Sequence, residues 1–252
     1  MGVKKILDIF FPPRCPVCDR ILDAEELRGG QKIHGICRKK LFPVTQPYCF
    51  HCGRPVAEDR EYCHDCARRR EKAQSPYGRR EPFSYIERGR SVFIYQGEMK
   101  QSMYRFKYAN RREYASFYVQ EACRSCGDWL RSCGIQAVVP VPMYRKKEKR
   151  RGYNQAKLLA RGIAEELNLA YEPELVLRVR DTRPQKELDD KERKNNLKSA
   201  FQAREDVVQY SCILLVDDIY TTGYTAESVA MELRRAGVGK VFLLTVCTGK
   251  GC

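Results

Sequence analysis

The stretch ILLVDDIYTTGYT, from Ile213 to Thr225, decides how the rest of this chain is read. Its opening residues, Ile213 to Val216, form an apolar run without polar alternation, which predicts a buried parallel strand. Asp217 and Asp218 stand where that strand is expected to end. A loop of small hydroxylated residues with one glycine follows, Thr221-Thr222-Gly223-Tyr224-Thr225, and a helical pattern begins at Ala226 (AESVAMELRRAG). Backbone N–H groups of such a loop and helix start lack intrahelical partners and sit at the positive end of the helix dipole, so they can cradle a phosphate. Threonine hydroxyls add donors, and Gly223 lets the backbone come close. The paired carboxylates can accept from vicinal hydroxyls. Strand, acidic pair, loop and helix together predict a site for a phosphorylated sugar. The plainer reading, that Asp-Asp merely ends a strand, leaves the TTGYT directly behind it unexplained.

Outward from this stretch, strands and helices alternate. VFIY (Val92 to Tyr95) reads as a strand, and residues 97–108 and 111–132 read as helices. AVVPVP (Ala137 to Pro142) reads as a buried strand, and Gln155 to Leu167 places Ala156, Leu159, Ile163 and Leu167 at helical spacing. Val241 to Val246 is a last apolar strand. This alternation implies an α/β fold with a mostly parallel sheet and ligands at the carboxyl ends of its strands.

Before residue 68 the chain is different. Seven of its 13 cysteines lie within residues 15–66, together with its three histidines, His34, His51 and His64. The pairs Cys49/Cys52 and Cys63/Cys66 are two C-x2-C knuckles, the spacing of a tetrahedral four-cysteine zinc site. An iron–sulfur centre or unliganded thiols are the alternatives. The earlier group is less complete. Cys15 and Cys18 form a knuckle, but Lys40 stands where a partner for Cys37 would fall, which leaves His34 as the candidate fourth ligand. That group is either a second zinc site or a degenerate one held by packing. The basic, polar stretch Arg68 to Arg80 reads as a linker, so that Arg69 lies remote from any site. We therefore divide the chain into a cysteine-rich module at 1–75 and an α/β part at 84–252.

At 252 residues with 43% apolar composition the chain can bury a core, and wholesale disorder is excluded. No apolar run is long enough to span a membrane. The start, MGVKKILDIFFPP, is too short in its apolar stretch for a signal-peptide core, and a cytoplasmic location is expected. Cysteines in such a compartment favour metal ligation over disulfides. A formal net charge of +15 asks for anionic partners, a polyanionic small substrate or nucleic acid.

The segment Ile213 to Thr225 resembles the phosphoribosyl-pyrophosphate (PRPP) signature of type I phosphoribosyltransferases. Further motifs narrow the resemblance. Val139-Pro-Val-Pro142 with Arg151-Gly-Tyr-Asn-Gln-Ala156, then Pro184-Gln185, Arg193, Asn196-Leu197 and Ala200-Phe201, behind cysteine knuckles, are similar in order to the ComF family of competence-associated, phosphoribosyltransferase-like bacterial proteins. The lysine at position 40 departs from the family's pattern.

The resemblance implies a type I phosphoribosyltransferase-like sheet with a small zinc-ribbon-like domain before it. It also implies PRPP binding with Mg²⁺. Asp217 and Asp218 would take the ribose hydroxyls, and Thr221, Thr222, Gly223, Tyr224 and Thr225 the 5′-phosphate. The basic stretch Met143 to Arg151 corresponds to the family's pyrophosphate loop, with Arg145, Lys146 and Arg151 as candidates. The segment Arg178 to Lys198 corresponds to a closing loop from which Gln185, Lys186 and Arg193 can reach the site. Arg145 to Arg151 and Lys191 to Lys194 are expected to form one basic rim. No histidine lies after Ser84, which excludes histidine acid–base chemistry there unless the cysteine module reaches over. Threonine at 221 replaces the aspartate that serves 6-oxopurine enzymes, which argues against hypoxanthine or guanine as acceptor. Two functions stay open: a phosphoribosyltransferase with an unknown acceptor, or a PRPP-sensing or nucleic-acid-binding protein of DNA uptake, with single-stranded DNA or DNA-uptake proteins as partners.

Overall fold

The computed structural model describes residues 12–74, 82–181, 199–205 and 209–250. In chain order the elements are α1 (Ala24–Arg28), α2 (Gly35–Arg38), α3 (His64–Gln74), β1 (Arg88–Ile94), α4 (Glu98–Tyr108), α5 (Tyr114–Ser132), β2 (Ala137–Pro140) and α6 (Arg145–Arg151). They continue with α7 (Gln155–Leu167), β3 (Ala170–Tyr171), β4 (Val176–Arg178), β5 (Phe201–Ala203), β6 (Cys212–Tyr220), α8 (Tyr224–Arg235) and β7 (Lys240–Thr248). Five strands form one parallel sheet in the order β1-β7-β6-β2-β3, and β4 and β5 form a separate antiparallel pair.

Period-two alternation divides the core between two faces of this sheet. Leu214, Val216, Leu244 and Val246 pack with α5, α7 and residues of the first cysteine group, Cys15 and Cys37 among them. Ile213, Leu215, Val241 and Leu243 pack with Ala226, Val229, Ala230 and Leu233 of α8 and with Cys49, Cys52, Cys63 and Cys66. The two cysteine groups thus lie on opposite faces. The segment between them crosses the outer edge of β1. There Ile94 N–H donates to the Phe42 carbonyl (2.8 Å) and Val44 N–H donates to the Val92 carbonyl (2.9 Å). An edge strand with unpaired backbone groups is a template for aggregation, and this crossing covers it. At the second knuckle Gly53 is left-handed (φ 72°), and a Cβ there would stand 2.6 Å from the Gly89 carbonyl oxygen. Only glycine permits so close an approach of the knuckle to β1.

Three departures from the sequence reading bear on the site. First, the central strand does not stop at Val216: Asp217, Ile219 and Tyr220 stay in register with Thr245, Cys247 and Thr248 of β7, so the acidic pair lies inside the ladder. The helix behind the loop also begins earlier, at Tyr224. Second, the basic stretch expected as a loop is helical from Arg145 to Arg151, because Arg, Lys and Glu are strong helix formers; Gly152 (φ 88°) ends it. Third, the expected linker is helix α3 as far as Gln74, for the same reason of propensity, which places Arg69 in an ordered element.

Candidate functional site

A cleft of about 330 Å³, partly open to solvent, lies where β6 gives way to α8. Asp217, Thr221, Thr222, Gly223, Tyr224 and Thr225 line it, whereas Asp218, the other half of the acidic pair, does not. Gly223 takes the left-handed region (φ 77°), where a side chain is strained and a Cβ would stand 2.6 Å from Tyr220 Cζ. No side chain caps α8 at Gly223, and the one acidic residue of its first turn, Glu227, is turned to partners behind the loop.

Opposite charges meet at the acidic pair. Asp218 Oδ1 lies 2.9 Å from Lys107 Nζ, and both side chains are largely shielded from water. Burial, then the Asp218 charge, pushes Asp217 up to about 7, against the pull of Lys107 and Arg178. Burial works against the Lys107 charge, but Asp218 outweighs it and raises the ammonium above its usual range. Arg178, held down by burial, feels Asp181 and Asp217. Arg151 donates to Gln155 Oε1 (2.9 Å) and its guanidinium lies 5.0 Å from the centre of the Tyr108 ring, next to Lys107 in sequence. The other basic candidates divide. Arg145 and Lys146 are exposed, whereas Lys147 is partly buried and has its ammonium disfavoured by burial, then by Arg151 and Arg178. Gln185, Lys186, Arg193 and the Lys191 to Lys194 rim lie outside the described residues.

Sequence reasoning missed Lys107, and it marked the segments that hold Lys147 and Arg178 without singling out either residue. Lys107 had a signal: buried Met99, Met103 and Phe106 define the apolar stripe of α4, and position 107 falls four residues after Met103 on that stripe. A cation on a buried face needs a partner, here Asp218.

Behind the loop, the cysteine module does reach over. Arg69 of α3 donates to the Thr222 carbonyl and stacks its guanidinium 5.3 Å from the Tyr224 ring centre. Glu227, in the first turn of α8, accepts from Ser84 Oγ (2.7 Å) and Tyr85 N–H (3.1 Å), and lies 3.3 Å from His51 Nε2. Burial alone would raise the Glu227 carboxyl, but His51, Ser84 and Arg69 hold it below the usual range. His51 is 4% exposed, so this histidine braces the loop from behind and is not presented to the cleft.

The ligand atoms of Cys49, Cys52, Cys63 and Cys66 all lie within 4.8 Å of one another, and so do those of Cys15, Cys18, His34 and Cys37. His34 Nδ1 is 3.3 Å from Cys18 Sγ and 4.0 Å from Cys37 Sγ, which fills the place Lys40 leaves empty. Contacts with Cys49, Cys52 and Cys63 push the Cys66 thiol far up. Closed donor sets of this size, four sulfurs in one cluster and three sulfurs with a ring nitrogen in the other, suit zinc in a structural role.

A parallel sheet with a glycine-bearing strand-to-helix loop, braced by two cysteine clusters, defines a zinc-ribbon α/β protein. The double zinc ribbon domain family matches residues 6–67. Competence protein F of Haemophilus influenzae is 29% identical over 92% of this chain and 95% of its own length. DNA utilization protein YhgH of Salmonella typhimurium is 31% identical over 84% of the chain and 95% of its own, and Competence protein ComFC of Bacillus subtilis is 27% identical over 84% and 81%. The chain belongs to the ComF family. Among the described residues, no helix is long and apolar enough to cross a membrane.

Proposed function

We propose that this protein binds PRPP with Mg²⁺ and transfers its phosphoribosyl group to an acceptor, in the service of DNA use. The observation that supports this most is the sharing of one strand–loop–helix unit by a carboxylate pair and an uncapped helix start, with Lys107 and Arg178 beside the pair. In this reading Asp217 and Asp218 accept from the ribose 2′- and 3′-hydroxyls, and the loop Thr221 to Thr225 takes the 5′-phosphate. Carboxylate oxygens of Asp217 and Asp218 would suit Mg²⁺, which would supply charge neutralisation there. The C1′–oxygen bond breaks with its electron pair leaving on pyrophosphate. The acceptor's lone pair closes the new bond to C1′, and the acceptor's proton passes to water. Arg151, Lys147 and Arg178 would steady the departing anion. Cys49, Cys52, Cys63 and Cys66 would hold one structural zinc, and Cys15, Cys18, His34 and Cys37 a second.

The names of the relatives, competence protein and DNA utilization protein, support the DNA context. Together with the +15 charge they also favour a second reading, a non-catalytic PRPP sensor or single-stranded DNA binder of the uptake apparatus. Isothermal titration with PRPP and Mg²⁺, followed by an acceptor screen scored by pyrophosphate release, decides between them. PRPP binding with release supports transfer, and PRPP binding without release under any acceptor supports sensing. Salt-dependent DNA binding with no PRPP affinity would leave only the nucleic-acid reading.

A further inference from the structure

The contacts behind the loop form a pattern that the phosphate site alone does not require. His51 lies between Cys49 and Cys52, Arg54 just after Cys52, Asp65 between Cys63 and Cys66, and Arg69 three residues beyond Cys66. Each of these touches the loop unit or a residue that does. Arg54 donates to Asp65 Oδ2 (2.7 Å) and lies 5.2 Å from the ring centre of Tyr220, the residue that ends β6. His51 and Arg69 both approach Glu227 in the first turn of α8. Arg69 also holds the Thr222 carbonyl. The residues that fix the four-cysteine cluster are thus neighbours in sequence of those that fix the loop.

We infer that Arg69, carried by the second ribbon, is a positioning residue for the phosphate loop, so that anion affinity at the loop depends on the metal-bound ribbon behind it. This rests on the loop being a phosphate site, as proposed above. A trans peptide is planar, so its carbonyl and the following N–H point in opposite directions. Holding the Thr222 carbonyl toward Arg69 therefore aims the Gly223 N–H the other way. Left-handed Gly223 has no side chain to lock this orientation, and Arg69 supplies the lock from outside. The Arg69 side chain is 21% exposed and paired with Glu227, so the contact is fixed and not a flexible surface encounter. A cation behind the loop also favours an anion in front of it. Metal in the cluster, by closing both knuckles, holds α3 and with it Arg69 in place.

The test uses the full-length, zinc-loaded protein, with ribose 5-phosphate and Mg²⁺·PRPP as titrants. Arg69→Ala should weaken both about tenfold, as expected for loss of one charge-assisted hydrogen bond, with zinc content unchanged. Arg69→Lys should recover part of the loss. Arg70→Ala, on the same helix but with its guanidinium over Tyr62, should change nothing. Hydrogen exchange supplies a readout independent of ligand. The Gly223 and Tyr224 amides should exchange faster in Arg69→Ala, while the Leu214 and Leu215 amides stay protected. Unchanged affinity together with unchanged loop exchange overturns the inference. If the wild type binds neither titrant, the phosphate reading fails, and the exchange comparison still decides whether Arg69 positions the loop.

Discussion

The two cysteine clusters differ in what they support. The second has four buried cysteines and stands behind the loop Thr221 to Thr225, through His51 and Arg69. The first mixes three cysteines with a histidine, leaves Cys18 and His34 half-buried, and braces the opposite face. Its neighbourhood is tied to α4 and α5: Arg105 donates to the Val17 carbonyl (3.0 Å), Tyr114 Oη to Asp19 (2.6 Å), and Arg111 to the same carboxylate (2.8 Å). Helix α4 carries Lys107, the partner of Asp218. One ribbon therefore supports the loop Thr221 to Thr225 and the other the helix that carries the partner of Asp218. Two small modules that resemble each other in sequence have been put to unlike tasks by the face of the sheet on which each packs.

The largest expected effect spares both clusters. Asp217→Asn combined with Asp218→Asn should reduce PRPP affinity by at least about a hundredfold while zinc content and folding persist, since both charges are lost and one acceptor oxygen of each side chain becomes a donor. Undiminished binding in that folded double variant would sink the ribose assignment. Next, Cys63→Ser should cost phosphate-end affinity more than about tenfold, whereas Cys37→Ser should cost no more than about threefold, because only the second cluster holds Arg69. Equal losses would mean that the clusters are interchangeable braces. Elemental analysis of the wild type should give close to two zinc ions per chain, and one ion would reduce the first cluster to a packed remnant.

A smaller effect concerns the basic rim. Arg151→Glu should weaken PRPP binding several-fold and Arg70→Glu should not, and equal effects would leave bulk charge as the only contribution. Arg69, a remote linker residue by sequence alone, is unsuitable as that control because it touches the loop.

The smallest effect is a pH dependence. Asp217 carries a folded value of about 7 against an unfolded one of 3.8, so the native state binds the extra proton. Its contribution to stability is therefore present at low pH and is lost as pH rises from about 4 to 7. Asp217→Asn should accordingly gain stability relative to the wild type between about pH 5 and pH 8. Lys107→Met removes a charge that lowers the folded Asp217 value, so in that variant the loss should start at the same pH but continue to higher pH. A urea-midpoint series across this pH range that runs parallel for all three proteins would remove Asp217 as the titrating group.

How much of this the sequence disclosed depends on the range of the interaction. Helix α7 is readable end to end, because its signals are local: Asn154 caps it by accepting from the Ala156 amide, and Asn168 ends it in the left-handed region. The Cys-x-x-Cys knuckles are readable for the same reason, since ligand spacing within a turn is fixed by geometry. The acidic pair and the TTGYT loop are visible too, but the strand's extension through them depends on pairing with β7, which no local pattern records. The bracing contacts are least legible. His51 and Glu227 are 176 positions apart, and only the fold brings them together. Compositional reading also fails where basic residues are good helix formers: α3 and α6 look like linker and loop when charge is taken for solvation and propensity is overlooked.

The crossing of residues 42–44 over β1 has a consequence for the order in which the chain is made. Synthesis runs from the N-terminus, so both knuckle pairs leave the ribosome before β1, and β7, the inner neighbour of β1, leaves last. A ribbon that has already taken up its metal can therefore cover one side of β1 as soon as that strand emerges. The other side stays open until the final strand arrives. In metal-starved cells the nascent chain would have both sides of β1 bare at once, and the first loss would be recovery of soluble protein, before any question of binding arises.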